Sequence, residues 1–368
     1  MSFFGVTIEK IDKVLDIPGA DKISVATIKD KNFQFVIGKN EYSPGQTVIY
    51  FPIDSLFPFE LMQKMNLVRQ KKVEGNLVFD ESGNPVMEGS LRGKHNNRLR
   101  TVTLRNVLSQ GLVGPISLLD GCSSQDPEEM TKFLGITKYE PPVTLDQNGL
   151  LVGLPSYLSE YDIEGADRYV EVADLLMDKE VVITEKVEGM NASFSFDIET
   201  GIFYVNQRNF CIKPVDGKSH SFHKIAQELG LEEMIKSLIQ KCHFRENISN
   251  VTFYGEALGP GIQGNIYKLK DQTVRFFDVK IDGRFVDCTE KKWWLNHLDS
   301  VPILMSGSTL REWLAGKTIQ EASNGKSVLN PSILREGIVI TPRQEEYHPK
   351  ISRLILKQRS PAYLANEK

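Results

Sequence analysis

Apolar and polar residues alternate differently in the two halves of this chain. Before residue 120 the apolar positions fall in short β-branched and aromatic runs. Phe33-Gln-Phe-Val-Ile37 and Thr47-Val-Ile-Tyr-Phe51 are bounded by Pro and Gly turns, as strands are. Leu99-Arg-Thr-Val-Thr-Leu104 alternates apolar with polar residues and predicts another, half-buried strand. Short strands at this spacing, without long helices between them, predict a small β-barrel. A helix follows, with Asp126 as N-cap, Pro127 in its first turn and Gly135 at its close. Tyr139-Glu-Pro-Pro-Val143 predicts a stiff connection and a domain boundary.

From residue 181 strand-like stretches alternate with helical ones. Val181–Thr184, Val251–Tyr254, Val274–Phe277 and Gly337–Ile340 have strand character. Phe222, Ile225 and Leu229, then Ile235 and Leu238, mark an interrupted amphipathic helical region. Ser308 or Thr309 can cap a further helix through Trp313. The expected fold class is α+β, with a β-barrel over 1–140 and a second domain of antiparallel sheets and flanking helices over 181–368. Residues 141–180 are expected to hold an acidic connector and the start of the second domain.

A length of 368 residues fits two domains. Forty per cent hydrophobic and 25% charged residues exclude a fibrous or disordered chain. No apolar run approaches the ~18 residues of a membrane helix, and the amino end does not read as a secretory signal. The four cysteines are far apart and lack a Cys-x-x-Cys pair. A reduced, intracellular protein, cytoplasmic by preference, is expected. The six histidines form no ligand set; His220 and His223 read as surface or helix-start residues.

The net charge of −4 conceals a strong asymmetry. Residues 160–180 hold eight acids and two basic groups, whereas residues 64–105 hold nine Lys/Arg against four Asp/Glu. The average excludes a basic coat protein, but a local basic patch remains. Arg92, Lys94, Arg98 and Arg100, with Arg105 beyond them, are the candidate nucleic-acid-binding groups.

The candidate chemistry lies in Thr184-Glu-Lys186-Val-Glu-Gly189-Met-Asn191. A strand delivers one lysine, and the glycine is expected to allow a tight turn. Neighbouring cations or desolvation can free a lysine lone pair for attack. Lys-x-(Asp/Glu)-Gly alone is weak, with roughly 0.1 chance matches in a chain this long. Indeed Lys72-Val-Glu-Gly75 repeats it in a stretch that predicts a surface loop. The segments that follow Lys186 carry the argument: Tyr254-Gly-Glu256-Ala-Leu-Gly-Pro-Gly-Ile-Gln263, Phe277-Asp278, Arg335-Glu336-Gly337-Ile-Val-Ile340 and Lys357-Gln-Arg359.

In that order these segments resemble the motif set of the covalent nucleotidyltransferases, most nearly ATP-dependent RNA ligases. The resemblance spans about residues 180–360. Gly19–Ile28, Phe33–Ile37 and Pro44–Tyr50 resemble an RNA-binding OB domain of the tRNA-binding type, and Arg98–Leu112 the end of such a domain in some RNA ligases. DNA ligases and capping enzymes place an OB domain after the catalytic domain. Only nine residues follow Arg359, so an N-terminal OB module is the expected layout.

The resemblance implies that Lys186 attacks ATP and carries AMP. It implies sealing of 5′-phosphate to 3′-hydroxyl RNA ends, at nicks in duplex or bridged RNA. Lys357 and Arg359 would contact the α-phosphate, although the family usually has lysine where Arg359 stands. Glu336 would hold Mg²⁺ or Mn²⁺, and Glu256 ribose or metal. Phe277 would stack on adenine. Thr184, Glu185, Glu188, Asn191 and Arg208 would line the nucleotide and the 5′-phosphate, and Arg343 would supply a basic group after Glu336. No membrane and no obligate protein partner are expected. The alternatives are a non-catalytic nucleic-acid-binding protein with a degenerate ligase domain, and a DNA ligase or mRNA capping relative.

Overall fold

The computed structural model describes residues 3–139, 151–214 and 220–366. The chain divides into two compact units, Phe3–Pro141 and Pro142–Asn366. The expected connection at Tyr139–Val143 lies, beyond Tyr139, outside the described residues.

The first unit is built on a five-stranded antiparallel sheet. Its order is Leu112–Pro115, Thr47–Phe51, Thr7–Asp16, Ile23–Ile28, Gln34–Gly38. A bulge between Ile11 and Lys13 breaks the register and bends the long first strand. The Gln34–Gly38 edge is stitched to the chain just before the last strand. Gln110 N–H donates to Gln34 O at 2.8 Å, and Val36 N–H to Ser109 Oγ at 3.0 Å. The sheet thus curls on itself around Ile11, Ala26, Phe35, Val48 and Tyr50, the partly open barrel of an OB fold. The helix Pro127–Phe133 forms as expected, with Asp126 accepting from Glu128 and Glu129 N–H groups. The strand expected over Leu99–Leu104 is shorter. Only Val102–Leu104 is extended, paired with Val107–Ser109 across a turn where Arg105 and Asn106 have positive φ.

The second unit is built on two large sheets, with a small pair of strands, Tyr347–His348 and Ser352–Arg353, beside them. The larger runs Leu151–Gly153, Phe210–Ile212, Ile202–Gln207, Met190–Asp197, Asn250–Leu258, Thr273–Ile281, Arg284–Phe285. The smaller runs Glu164–Gly165, Leu356–Arg359, Gly337–Pro342, Glu180–Lys186, Ile303–Thr309. All pairings are antiparallel except the Glu164–Gly165 edge, which is parallel. One face of the large sheet, with Phe194, Phe253, Val274 and Phe276, packs with Phe222, Ile225, Leu231, Ile235 and Trp294. The helical region expected here is two helices, Ser221–Glu228 and Leu231–Lys241, broken at Gly230 (φ +59°). His220 caps the first helix through Nδ1, and His223 Nε2 lies 3.0 Å from Ile212 O. One face of the small sheet, with Val181, Ile183, Ile338, Ile340 and Leu356, packs with Val172, Leu176, Leu310 and Leu314.

The acidic stretch 160–180 is integral to this unit, with the Glu164–Gly165 strand and the helix Val170–Leu176 inside it. Its acids are partnered there: Asp178 with Arg311, Glu171 with Lys350, and Glu180 with Arg343. Among the described residues no helix is long and apolar enough to cross a membrane.

Candidate active site

The polar faces of the two sheets carry the candidate chemistry. On Glu180–Lys186 the residues alternate between the apolar core and the opposite face. Val181 and Ile183 point to the core, so Thr184 and Lys186 share the other face. Register places Lys186 opposite Gly337, and Gly337 opposite Arg359. A Cβ at Gly337 would lie 2.9 Å from Arg359 Cα and would also strike the Gln358 carbonyl. Glycine there lets the Lys186 and Arg359 strands meet around Gly337. Lys357 and Arg359 alternate on one strand and are both half-buried, whereas Leu356 and Gln358 go to the core side.

Lys186 Nζ lies 2.6 Å from Glu336 Oε2, and Arg359 Nε lies 3.4 Å from Glu336 Oε1. One buried carboxylate therefore joins the candidate nucleophile to one candidate phosphate-binding cation. On the large sheet, Asn191 stands directly opposite Glu256, and Glu256 opposite Arg275. Burial pushes the Glu256 carboxyl up to about 8; Lys186 pulls against this and Glu336 adds to it. The electrostatics thus place Glu256, from one sheet, near Lys186 and Glu336 of the other.

Gly189 does not act as expected from the motif. Its φ is not positive, so no special turn requires it. A Cβ there would collide with the Ala257 carbonyl oxygen and sit 2.8 Å from Glu256 Cγ. Glycine is needed so that this segment can press against the Glu256 strand. Glu188 N–H donates to Tyr267 Oη at 2.8 Å, and its carboxylate accepts from the Tyr363 hydroxyl in the helix Pro361–Asn366.

The Thr273–Ile281 strand has a register shift between its pairings with Tyr254 and Gly255. This bulge leaves Phe277 extra, so Phe276 enters the core while Phe277 and Asp278 both reach Tyr161. The rings of Phe277 and Tyr161 are 5.0 Å apart, and Tyr161 Oη donates to Asp278 at 2.9 Å. Asp278 also binds Arg353 (2.8 Å) and Lys291 (3.4 Å). These pairings hold its carboxyl below the usual range against a raising contribution from burial.

Arg208 meets Glu160 at 2.5 Å and Asp162 at 2.7 Å, and Asp162 lies 3.3 Å from Lys357 Nζ. Burial holds the Lys357 amine below its usual range, with Lys186 and Arg208 acting the same way and Asp162 opposing them.

Several sequence expectations are not met. Glu185 is buried on the core side of its strand, where it accepts from Val328 N–H at 2.8 Å. Alternation turns it away from Lys186, so it does not join the cleft. Arg343 pairs with Glu180 at 2.5 Å, at the opposite end of the strand pair from Lys186. In the first unit, Arg98 binds Asp54 at 2.6 Å and stacks 3.5 Å from the Tyr139 ring centroid. That is a structural tether. Arg92, Lys94 and Arg105 are exposed and Arg100 is half-buried. Gln110 is buried in the barrel seam. The second motif copy, Lys72–Gly75, is exposed as expected, a hairpin in which Lys72–Val73 pairs with Asn76–Leu77 across Glu74 and Gly75 at positive φ. Gly259, Gly261 and Gly264 have positive φ in the loop between Asn250–Leu258 and Thr273–Ile281.

Sequence reasoning missed Asp162, Glu160, Tyr161, Tyr267, Arg353 and Tyr363. The acid density of residues 160–180 was the only signal for the first two, and the others had none.

Residues 179–358 match the family described as RNA ligase, and residues 5–116 match an OB-fold domain. No curated protein sequence matches. Among solved structures, a ligand-free point mutant of the Naegleria gruberi RNA ligase has a TM-score of 0.76 at 24% identity. It covers 100% of this chain and 99% of its own. Another mutant of that ligase, solved with ATP and Mn, has a TM-score of 0.74 at 25% identity and covers 98% of both chains. A third, with AMP and Mn, has a TM-score of 0.73 at 24% identity, again covering 98% of both. Residues 179–358 thus form a domain of the RNA ligase family, with an OB-fold domain ahead of it.

Proposed function

We propose that this protein joins RNA 5′-phosphate and 3′-hydroxyl ends at the expense of ATP, through an AMP carried on Lys186. The observation that carries this reading is the convergence on one cleft of Lys186, Glu336, Lys357 and Arg359 from one sheet with Asn191 and Glu256 from the other. In the first step Lys186 Nζ bonds to the α-phosphorus and the bond to pyrophosphate breaks. In the second, an oxygen of the RNA 5′-phosphate attacks that phosphorus and the phosphoramidate N–P bond breaks. In the third, the 3′-hydroxyl attacks the activated 5′-phosphate and AMP leaves.

Each step moves a phosphoryl group, so fixed positive charge must meet the developing negative charge. Lys357 and Arg359 face the side from which Lys186 attacks. Attack requires the unprotonated amine, so Lys186 must give up a proton before the chemical step. Phe277 offers its ring to adenine, and Thr184, Asn191 and Glu188 line the nucleotide. Glu256, neutral in the free cleft near pH 7, suits a ribose hydroxyl. Arg208 is placed to meet the RNA 5′-phosphate.

Glu336 offers hard oxygen ligands suited to Mg²⁺ or Mn²⁺. Among the described residues no group of three or more His, Cys, Asp or Glu could hold a metal ion. The fit is therefore to an ion held mainly by nucleotide phosphates and water, which would polarise the phosphate oxygens. The Naegleria ligase structures with ATP and Mn support both ligands.

We assign RNA contact to Arg92, Lys94 and Arg100 in the OB domain, and nicked or bridged duplex as the preferred substrate. The setting we infer is the reducing interior of a cell, where free cysteines persist. Incubation with labelled ATP and Mg²⁺ or Mn²⁺ tests the reading. A covalent protein–AMP adduct is expected, lost in Lys186→Ala and retained in Lys72→Ala. Labelling that survives Lys186→Ala refutes it. Joining rates on nicked, single-stranded and DNA-containing substrates then decide the substrate form.

A further inference from the structure

Asp162 lies outside the residues that match the ligase family. Its side chain is only 5% exposed. One carboxylate oxygen lies 2.7 Å from Arg208 Nη2 and the other 3.3 Å from Lys357 Nζ. Arg208 follows a strand of the seven-stranded sheet, and Lys357 belongs to the five-stranded sheet. A single carboxylate thus ties a cation of one sheet to a cation of the other.

The geometry around Asp162 leaves it little freedom. Ile163 N–H donates to its Oδ1 at 2.9 Å. On one side Tyr161 is anchored to Asp278 at 2.9 Å. On the other, Glu164–Gly165 pairs in parallel with Leu356–Lys357 of the strand that bears the lysine. Glu160 adds a second carboxylate to Arg208 at 2.5 Å. Two cations held on either side of one carboxylate repel each other, and the fixed anion offsets that repulsion.

We propose that Asp162 is a positioning residue for phosphoryl transfer, holding Arg208 and Lys357 as one preformed pair across the cleft. It does not touch the reacting atoms; it acts through the two cations. The inference rests on the reading of Lys186 as the nucleophile. If the carboxylate merely occupied the phosphate position, the sign would reverse, and its removal would speed the reaction.

The test is single-turnover transfer of AMP from saturating labelled ATP to Lys186 in the full-length protein. In Asp162→Asn the rate is expected to fall threefold or more. Asp162→Asn is expected to cost less in the Lys357→Ala background than in the wild type, because part of its effect runs through Lys357. A loss below threefold, a gain in rate, or losses that multiply in the double variant would overturn the proposal. If Asp162→Asn does not fold, Asp162→Glu decides by the same threshold. It keeps the charge but moves the carboxylate by one methylene. A wild-type chain that forms no AMP adduct refutes the function reading as well, whereas equal labelling of wild type and variant refutes only the role of Asp162.

Discussion

Glu256→Gln separates burial from charge pairing at the cleft. The carboxyl of Glu256 is raised from 4.5 to about 8, with burial the leading cause. Its neutral form therefore prevails about tenfold at pH 7 in the ligand-free protein. An amide of the same shape should replace that neutral acid at little cost. Between pH 4.5 and 8 the folded chain keeps a proton that the unfolded chain has lost, so stability falls as pH rises through this window. At about 1.36 kcal/mol per unit, the loss reaches about 3.4 kcal/mol at pH 7 and about 4.8 kcal/mol at pH 9. These are ceilings, because Glu256 is only half-buried and solvent screens it. Glutamine does not titrate. Its stability relative to wild type should therefore grow by up to about 1.4 kcal/mol from pH 7 to pH 9, or roughly 3–6 °C in melting temperature. Scanning calorimetry of both ligand-free proteins from pH 5 to pH 9 measures this gap. A gap that stays constant, or that shifts against glutamine as pH rises, would mean that Glu256 is ionised and paired with Lys186.

Other outcomes follow from the same geometry. Gly189→Ala should destabilise the second unit by about 1–3 kcal/mol, because its Cβ meets the Ala257 carbonyl and the Glu256 side chain. Its melting temperature should drop and AMP transfer should fall with it. Alanine at Arg92 and at Lys94 should each weaken RNA binding and reduce the salt slope by about one, measured by titration at several salt concentrations. Arg98→Ala should instead lower the melting temperature of the OB domain, since it removes the Asp54 pair and the Tyr139 stack. An unchanged melting temperature would show that this tether is not structural.

Local chemistry and pattern account for much of what was legible from the sequence. The strands Phe33–Ile37 and Thr47–Phe51, the Asp126 cap and the Thr309 cap depend on a few neighbouring residues, and the structure realises them. Lys186, Glu256, Glu336 and Lys357 could be named as candidates because each sits in a short segment, and the order of those segments is a property of the chain. Glu185 was misplaced since the motif does not state which neighbour of the lysine shares its face. The strand over Leu99–Leu104 was overextended because its two ends pair with different segments, Leu99 with Asp54 and Ser55 and Val102–Leu104 with Val107–Ser109.

The sequence by itself determined the fold class, because strand and helix patterns are local, and the order of its motifs singled out Lys186 as the candidate nucleophile. Only the tertiary structure decided that Gly189 serves close packing and that Arg98 is a tether. It alone placed Asp162 between Arg208 and Lys357, three residues spread over 196 positions of the chain. No local pattern encodes such a contact, because it depends on how two separate sheets bring their polar faces together.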